Sequence, residues 1–275
     1  MRPPPSGGVS YSCRLFSRVH TAMIEVEHQQ GEHSPLSLGG DIMGQYHNVV
    51  NLDKNFFYSP RSLGDFHKLL EQGCSLLSCA SLALLLSKGW NGERVALVGD
   101  YGEDNDLPGR TKEEMVSLYK GSGMRNVGWL ARNIITDNTG VTFNKVKRSI
   151  RSYDGSVVKT HHYEHSPMDK VKGIDNKNSL RIVNFDKEES LNPLHFDHGD
   201  SLRDLVLDGY KDGAMTALFI LLAVTTKNGD RGGGDSNHAL NGTWGGDHIG
   251  IVPVEQCEWS TDISDKFDVV NGFYE

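Results

Sequence analysis

Apolar and polar positions alternate informatively from Met43 onward. Val49-Val50-Asn51-Leu52-Asp53-Lys54 is a short β-type run, and Tyr58-Ser59-Pro60 breaks it. Leu63, Phe66, Leu69 and Leu70 then fall on one helical face, with Ser62 placed to cap and Gly73 to stop the helix. Leu76 to Lys88 is apolar almost all round, the pattern of a helix buried on every side. Gly89 ends it. Arg94 to Val98 reads as a buried strand, bounded by Gly99-Asp100-Tyr101-Gly102.

The same order returns later in the chain. Val183-Asn184-Phe185-Asp186-Lys187 matches Val50-Asn51-Leu52-Asp53-Lys54 at an offset of 133, and Pro193 matches Pro60 at the same offset. Leu205-Val206 and Gly209 match Leu69-Leu70 and Gly73 at 136, which also lays Leu218–Leu222 over Leu82–Leu86. Trp244-Gly245-Gly246-Asp247-His248-Ile249-Gly250-Ile251-Val252 repeats Trp90-Asn91-Gly92-Glu93-Arg94-Val95-Ala96-Leu97-Val98 at 154, because the second series holds 18 extra residues, Thr226–Thr243. Four matches in one order predict internal duplication. The expected fold is α+β, with two strand–helix–buried helix–strand units at 43–102 and 179–275 packed as one compact body. Residues 103–178 read as a polar insertion. Within it, Thr111–Tyr119 suits a short helix, and Val141–Val158 suits strands around the turn signal Asp154-Gly155. Residues 1–42, opening with Pro3-Pro4-Pro5-Ser6-Gly7-Gly8, read as a disordered or loosely packed extension.

Composition narrows the setting. A formal charge of −8 and a pI near 5.8 argue against a general nucleic-acid or anionic-membrane binder. Cys13, Cys74, Cys79 and Cys257 form no C-x-x-C pair and read as reduced thiols, which places the chain in the cytoplasm as a soluble protein. The longest apolar run, Leu76–Leu86, is shorter than a membrane span needs. The first 24 residues hold no acid and carry Arg2, Arg14 and Arg18, so import into an organelle through residues 1–24 is the alternative location.

Met43-Gly44-Gln45-Tyr46, the VVNLDK run, the apolar helix, the loop Gly229–Asp235, the strand opening at Trp244 and Thr261-Asp262-Ile263-Ser264 together resemble a group of small uncharacterised proteins from bacteria and fungi. Those proteins open with Met-Gly-x-Tyr and carry a W-A-G-D-R strand ending in Gly-Asp-Tyr. The resemblance covers roughly residues 43–101 and 180–265 and implies domain boundaries and an intracellular setting, with no activity and no catalytic residue to transfer. In the family pattern the glycine loop and the Gly-Asp-Tyr end share one unit. Here the first series keeps Gly99-Asp100-Tyr101 without the loop, while the second keeps the loop but reads Pro253-Val254-Glu255. One composite site, or two decayed sites in a binding or structural protein, would each produce that division.

The candidate chemistry lies around the loop. Arg231, Gly232, Gly233 and Gly234 are candidate ligand-binding positions, because consecutive glycine amides can cradle an anion, although a loop leaving a helix C-terminus suits a cation better. Asp230, Asp235, Asp247 and Asp100 are the candidate ligands of a divalent metal, the only cofactor the chain suggests. Glu93 holds the place of Asp247 in the first series. Trp90 and Trp244 read as core or rim anchors, with ligand stacking as the alternative. His161-His162-Tyr163-Glu164-His165 reads as a solvated linker, and His195 and His198 as a loop; neither group has H-E-x-x-H spacing. No G-x-S-x-G elbow or local cysteine-nucleophile signature occurs. Two functions remain: an intracellular binding or structural protein, with self-association open to it, and a metal-assisted hydrolase with a composite carboxylate site.

Overall fold

The structure is a computed structural model and describes residues 46–64, 68–73, 75–151, 157–166, 180–196, 214–224 and 240–267. The predicted loose extension 1–42, the 205–209 match and the glycine loop, with Asp230, Arg231, Gly232, Gly233, Gly234 and Asp235, lie outside the described residues.

Among the described residues the first elements are β1 (His47–Asn51), a four-residue turn and β2 (Phe56–Tyr58). Pro60–Leu63 follows as a 3-10 helix instead of the opening of one long helix. Pro60 starts that turn with its preset φ, and Gly64 closes it at φ 80°, so Ser62 lies inside a helix it had been expected to cap. The helical pattern resumes as α1 (Leu69–Gly73) and α2 (Leu76–Leu86). Ser75 supplies the cap of α2 by accepting from the Ser78 amide at 3.4 Å. Then come β3 (Glu93–Gly99), α3 (Lys112–Lys120), β4 (Arg125–Asn126), α4 (Gly128–Thr139), β5 (Phe143–Arg151) and β6 (Val157–His165). The second series gives β7 (Leu180–Asn184), β8 (Glu189–Leu191), α5 (Ala214–Leu222), β9 (Ala223–Val224), β10 (His248–Pro253) and β11 (Thr261–Asp262).

The fold is α+β. Among the described residues nine strands make one mixed sheet in the order β11-β8-β7-β10-β3-β1-β2-β4, with β9 parallel to the end of β3. At its centre β3 and β10 run antiparallel, with Arg94 opposite His248. One face meets the helices: Val49, Val95, Leu97, Leu180, Ile182, Ile249 and Ile251 pack with the leucines of α2 and with α5. On the other face Val50, Ala96 and Val98 are covered by Leu107 and by Met115 of α3, while Val183 and Val252 are covered by Cys257. Strand alternation sends consecutive apolar residues to opposite faces, which explains why β3 is unbroken apolar from Val95 to Val98 and why Val49-Val50 and Ile182-Val183 stand as apolar pairs.

The stretch read as a polar insertion contributes to this body. Thr111 and Glu114 close a capping box on α3, as the sequence suggests for a helix there. α4 escaped the sequence reading, because its apolar positions are diluted by Arg132, Asn133, Asp137 and Asn138, yet Ala131 and Ile135 are buried against α2. The strands expected around Asp154-Gly155 are β5 and β6, which pair with each other as a separate two-stranded sheet. His161–His165 therefore belongs to a strand, not to a linker. Lys147–His162 groups into a compact unit apart from Ser34–Val146 and Tyr163–Glu275. No helix among the described residues is long and apolar enough to cross a membrane.

Candidate functional site

Charged side chains gather where β3 meets β10. Two four-residue turns, Leu52–Asn55 between β1 and β2 and Phe185–Glu188 between β7 and β8, present them. Both turns end in a left-handed residue, Asn55 at φ 57° and Glu188 at φ 55°. Both are closed from within: Asn51 Oδ1 accepts from the Lys54 amide at 2.9 Å, and Asn184 Oδ1 from the Lys187 amide at 3.0 Å.

Each turn then clamps one central strand. Asp53 accepts from the Arg94 amide and from Arg94 Nε, both at 2.7 Å, and its carboxylate lies 2.6 Å from Nη2. Asp186 accepts from the His248 amide at 2.8 Å, with His248 Nδ1 at 2.9 Å. Burial acts to raise both carboxyl pKa values, but the hydrogen bonds from Arg94 and His248 outweigh it and hold both groups below the usual aspartate range. The neighbouring lysines repeat the theme. Lys54 pairs with Glu93 at 2.7 Å and donates to the Gly89 carbonyl, while Lys187 pairs with Asp247 at 2.6 Å and donates to the Thr243 carbonyl. Behind them the Trp90 amide donates to Leu85 O, and the Trp244 amide to Leu221 O.

The two sets cross the β3–β10 line once through charge. His248 Nε2 stands 3.9 Å from Asp53 Oδ2, while Nδ1 faces Asp186. Backbone bonds cross it too: Gly92 N donates to Ile249 O, and Gly246 N to Val95 O. The sets differ behind the tryptophans. Trp244 Nε1 donates to Glu189 Oε2 at 2.7 Å, whereas Trp90 packs against Tyr58 with ring centroids 6.1 Å apart. Asn184 Nδ2 reaches Asp247 Oδ2 at 2.8 Å, but the buried Nδ2 of Asn51 has no partner among the described residues.

No protein-family model matches this chain, and neither a curated protein nor a solved structure matches it. The residues themselves must therefore carry the reading of the site.

Of the sequence candidates, Asp247 is in this network, spent on Lys187 and Asn184. Trp90 and Trp244 are buried to 1% and 0% exposure, so both rings serve the core and offer no open face for stacking. Asp100 is elsewhere. It follows the far end of β3, where Asp100 Oδ1 accepts from the Tyr46 amide at 3.0 Å and burial raises the carboxyl pKa. Val95, whose amide donates to Asp247 O, precedes Asp100 by five residues, or about 17 Å of extended strand. The structure thus does not bring Asp100 and Asp247 together. Among the described residues no group of three histidine, cysteine or acidic side chains is arranged to hold a metal. His165 packs against Phe143 with the rings tilted by 57°, and His195 Nδ1 stands 3.4 Å from Asp265. His198 lies outside the described residues.

Asp53, Arg94, Asp186, Lys187 and His248 were missed as site residues. Their signal was present: the Asp-Lys pair recurs at 133, and the positions that receive it, 93 and 94, recur at 154.

Proposed function

We propose that the chain is a non-enzymatic intracellular binding or structural protein, built by internal duplication of one α+β unit. One observation carries this reading. Asp53 and Arg94 repeat in Asp186 and His248, Lys54 and Glu93 repeat in Lys187 and Asp247, and the lysine-to-carbonyl bonds repeat in register. A side chain used identically in two places is doing what both places need. Here that common task is to tie a turn to a central strand, so Asp247, one of the candidate hydrolase carboxylates, is neutralised as a strand fastener. The buried free thiols Cys79 and Cys257 support a reducing setting. The likeness to small bacterial and fungal proteins supports the same unit boundaries.

The test is direct. Native mass spectrometry of the full chain with Mg, Mn, Ca and Zn, together with phosphatase and nuclease assays, should give no divalent-dependent turnover. Asp247→Asn should lower stability alone. Turnover that requires a divalent ion and disappears in Asp247→Asn or Asp235→Asn would overturn the proposal.

A further inference from the structure

The two clamps make the same bonds but do not hold the same charge. In the first, Asp53 and Glu93 are balanced by Arg94 and Lys54. In the second, Asp186 and Asp247 face His248 and Lys187. A guanidinium is always charged, whereas an imidazole changes charge between about pH 5 and 8. The junction therefore sets four carboxylates against three permanent cations, and its formal charges cancel when His248 is protonated. The geometry around the ring repeats that count. A neutral imidazole has one N–H; with Nδ1 donating to Asp186 at 2.9 Å, Nε2 turns a lone pair toward the Asp53 carboxylate 3.9 Å away. A protonated ring presents an N–H to each carboxylate. Arg94 opposes that charge from directly across the strand pair, but its guanidinium is committed to Asp53. Lys187 and Lys54, the remaining cations of the two turns, are held by Asp247 and Glu93.

We propose that His248 makes the second clamp pH-sensitive: as an imidazolium it fastens the 185–188 turn to β10 and reaches Asp53 across the junction, and loss of the Nε2 proton withdraws the contact between the two turns. The place is one where a single contact counts, because β3 and β10 share two residue pairs, Arg94 with His248 and Glu93 with Ile249. Folding gives the imidazolium two carboxylates that the unfolded chain does not hold near it. The stability it adds is therefore present at the acid end of the histidine range and lost toward the alkaline end. Asp53 and Asp186 are both held below the usual aspartate range, so they stay ionised throughout that window and a change within it is not theirs. The premise is the clamp role proposed above, which divalent-dependent turnover would overturn without altering any pH profile of stability.

The experiment is urea unfolding of the full chain, wild type against His248→Gln, at about pH 5.5 and about pH 8. Subtracting the variant removes what the other histidines contribute. The wild-type advantage in folding equilibrium constant should be about two- to fivefold larger at the acid pH, the range of exposed ion pairs. Asp53→Asn should remove part of that difference, since it deletes the far carboxylate and leaves Asp186 in place. Amide exchange in the wild type gives a readout that needs no variant. The Gly92 and Val95 amides donate across the junction to Ile249 and Asp247, and their protection, corrected for intrinsic exchange, should fall toward the alkaline pH by more than that of Cys79 in α2. An equal wild-type advantage at the two pH values overturns the proposal, as does a larger one at the alkaline pH. So does a pH effect that survives whole in Asp53→Asn, or junction amides that lose no more protection than Cys79.

Discussion

Asp186→Asn is the substitution that most directly tests the strand clamp. It removes the charge that accepts from the His248 amide at 2.8 Å and faces His248 Nδ1 at 2.9 Å. Two hydrogen bonds to a carboxylate carry a nominal about 1.5–3 kcal/mol each. The Asp186 side chain is 44% exposed, so water competes for both, and a solvent-facing pair retains under about 1 kcal/mol. With both bonds exposed, the expected loss is about 1 kcal/mol at pH 7, or about 2–4 °C in Tm. The pH dependence has a definite sign. The folded pKa of Asp186 is lowered from 3.8, so its contribution is fully present above 3.8 and fades as pH falls through the lower folded value. Urea unfolding of wild type and variant at pH 7, 5 and 3 should show a gap that persists to pH 5 and narrows at pH 3. A gap of the same size at all three, or none at pH 7, would refute the clamp.

Other substitutions probe the surrounding structure. Trp244→Phe deletes the donor to Glu189 and should cost about 1–3 kcal/mol in chemical denaturation beyond the loss of ring area, whereas Asp247→Asn, whose lysine partner is 41% exposed and whose new amide oxygen can still accept from Asn184, should cost under about 1 kcal/mol. Gly250→Ala should be destabilising by about 1–3 kcal/mol, since a Cβ there would stand 2.0 Å from Asn91 Oδ1 and 2.8 Å from the Phe185 ring; a melt unchanged within error would contradict that crowding. Leu84→Ala, at 0% exposure in α2, should lose about 2–5 kcal/mol by the same assay, making it the largest effect among these.

The legible parts of the sequence were those with a local cause. α2 and β3 were visible because an all-round apolar run and a short buried strand each have a composition of their own, and Gly73 ends α1 where its type suggested. α4 was hidden because only one stripe of it is buried, at Ala131 and Ile135, and polar residues occupy the rest. Ser62 misled because a cap signal is local, whereas Pro60 and Gly64 had already bounded the turn. The site was hardest to see. Asp53 meets Arg94 across 41 residues and Asp186 meets His248 across 62, distances over which no periodicity reports. Only the repeat offsets linked them, and Asp247 drew attention by its glycines while its lysine partner did not.

Arg94 and His248 occupy matching places and also face each other across the central strand pair. Arginine at both places would set like charges directly opposite one another, and like charges in that cross-strand relation repel. The two places differ instead. The imidazole at 248 turns one nitrogen to Asp186 and the other toward Asp53 of the opposite turn, so a single side chain reaches both turns.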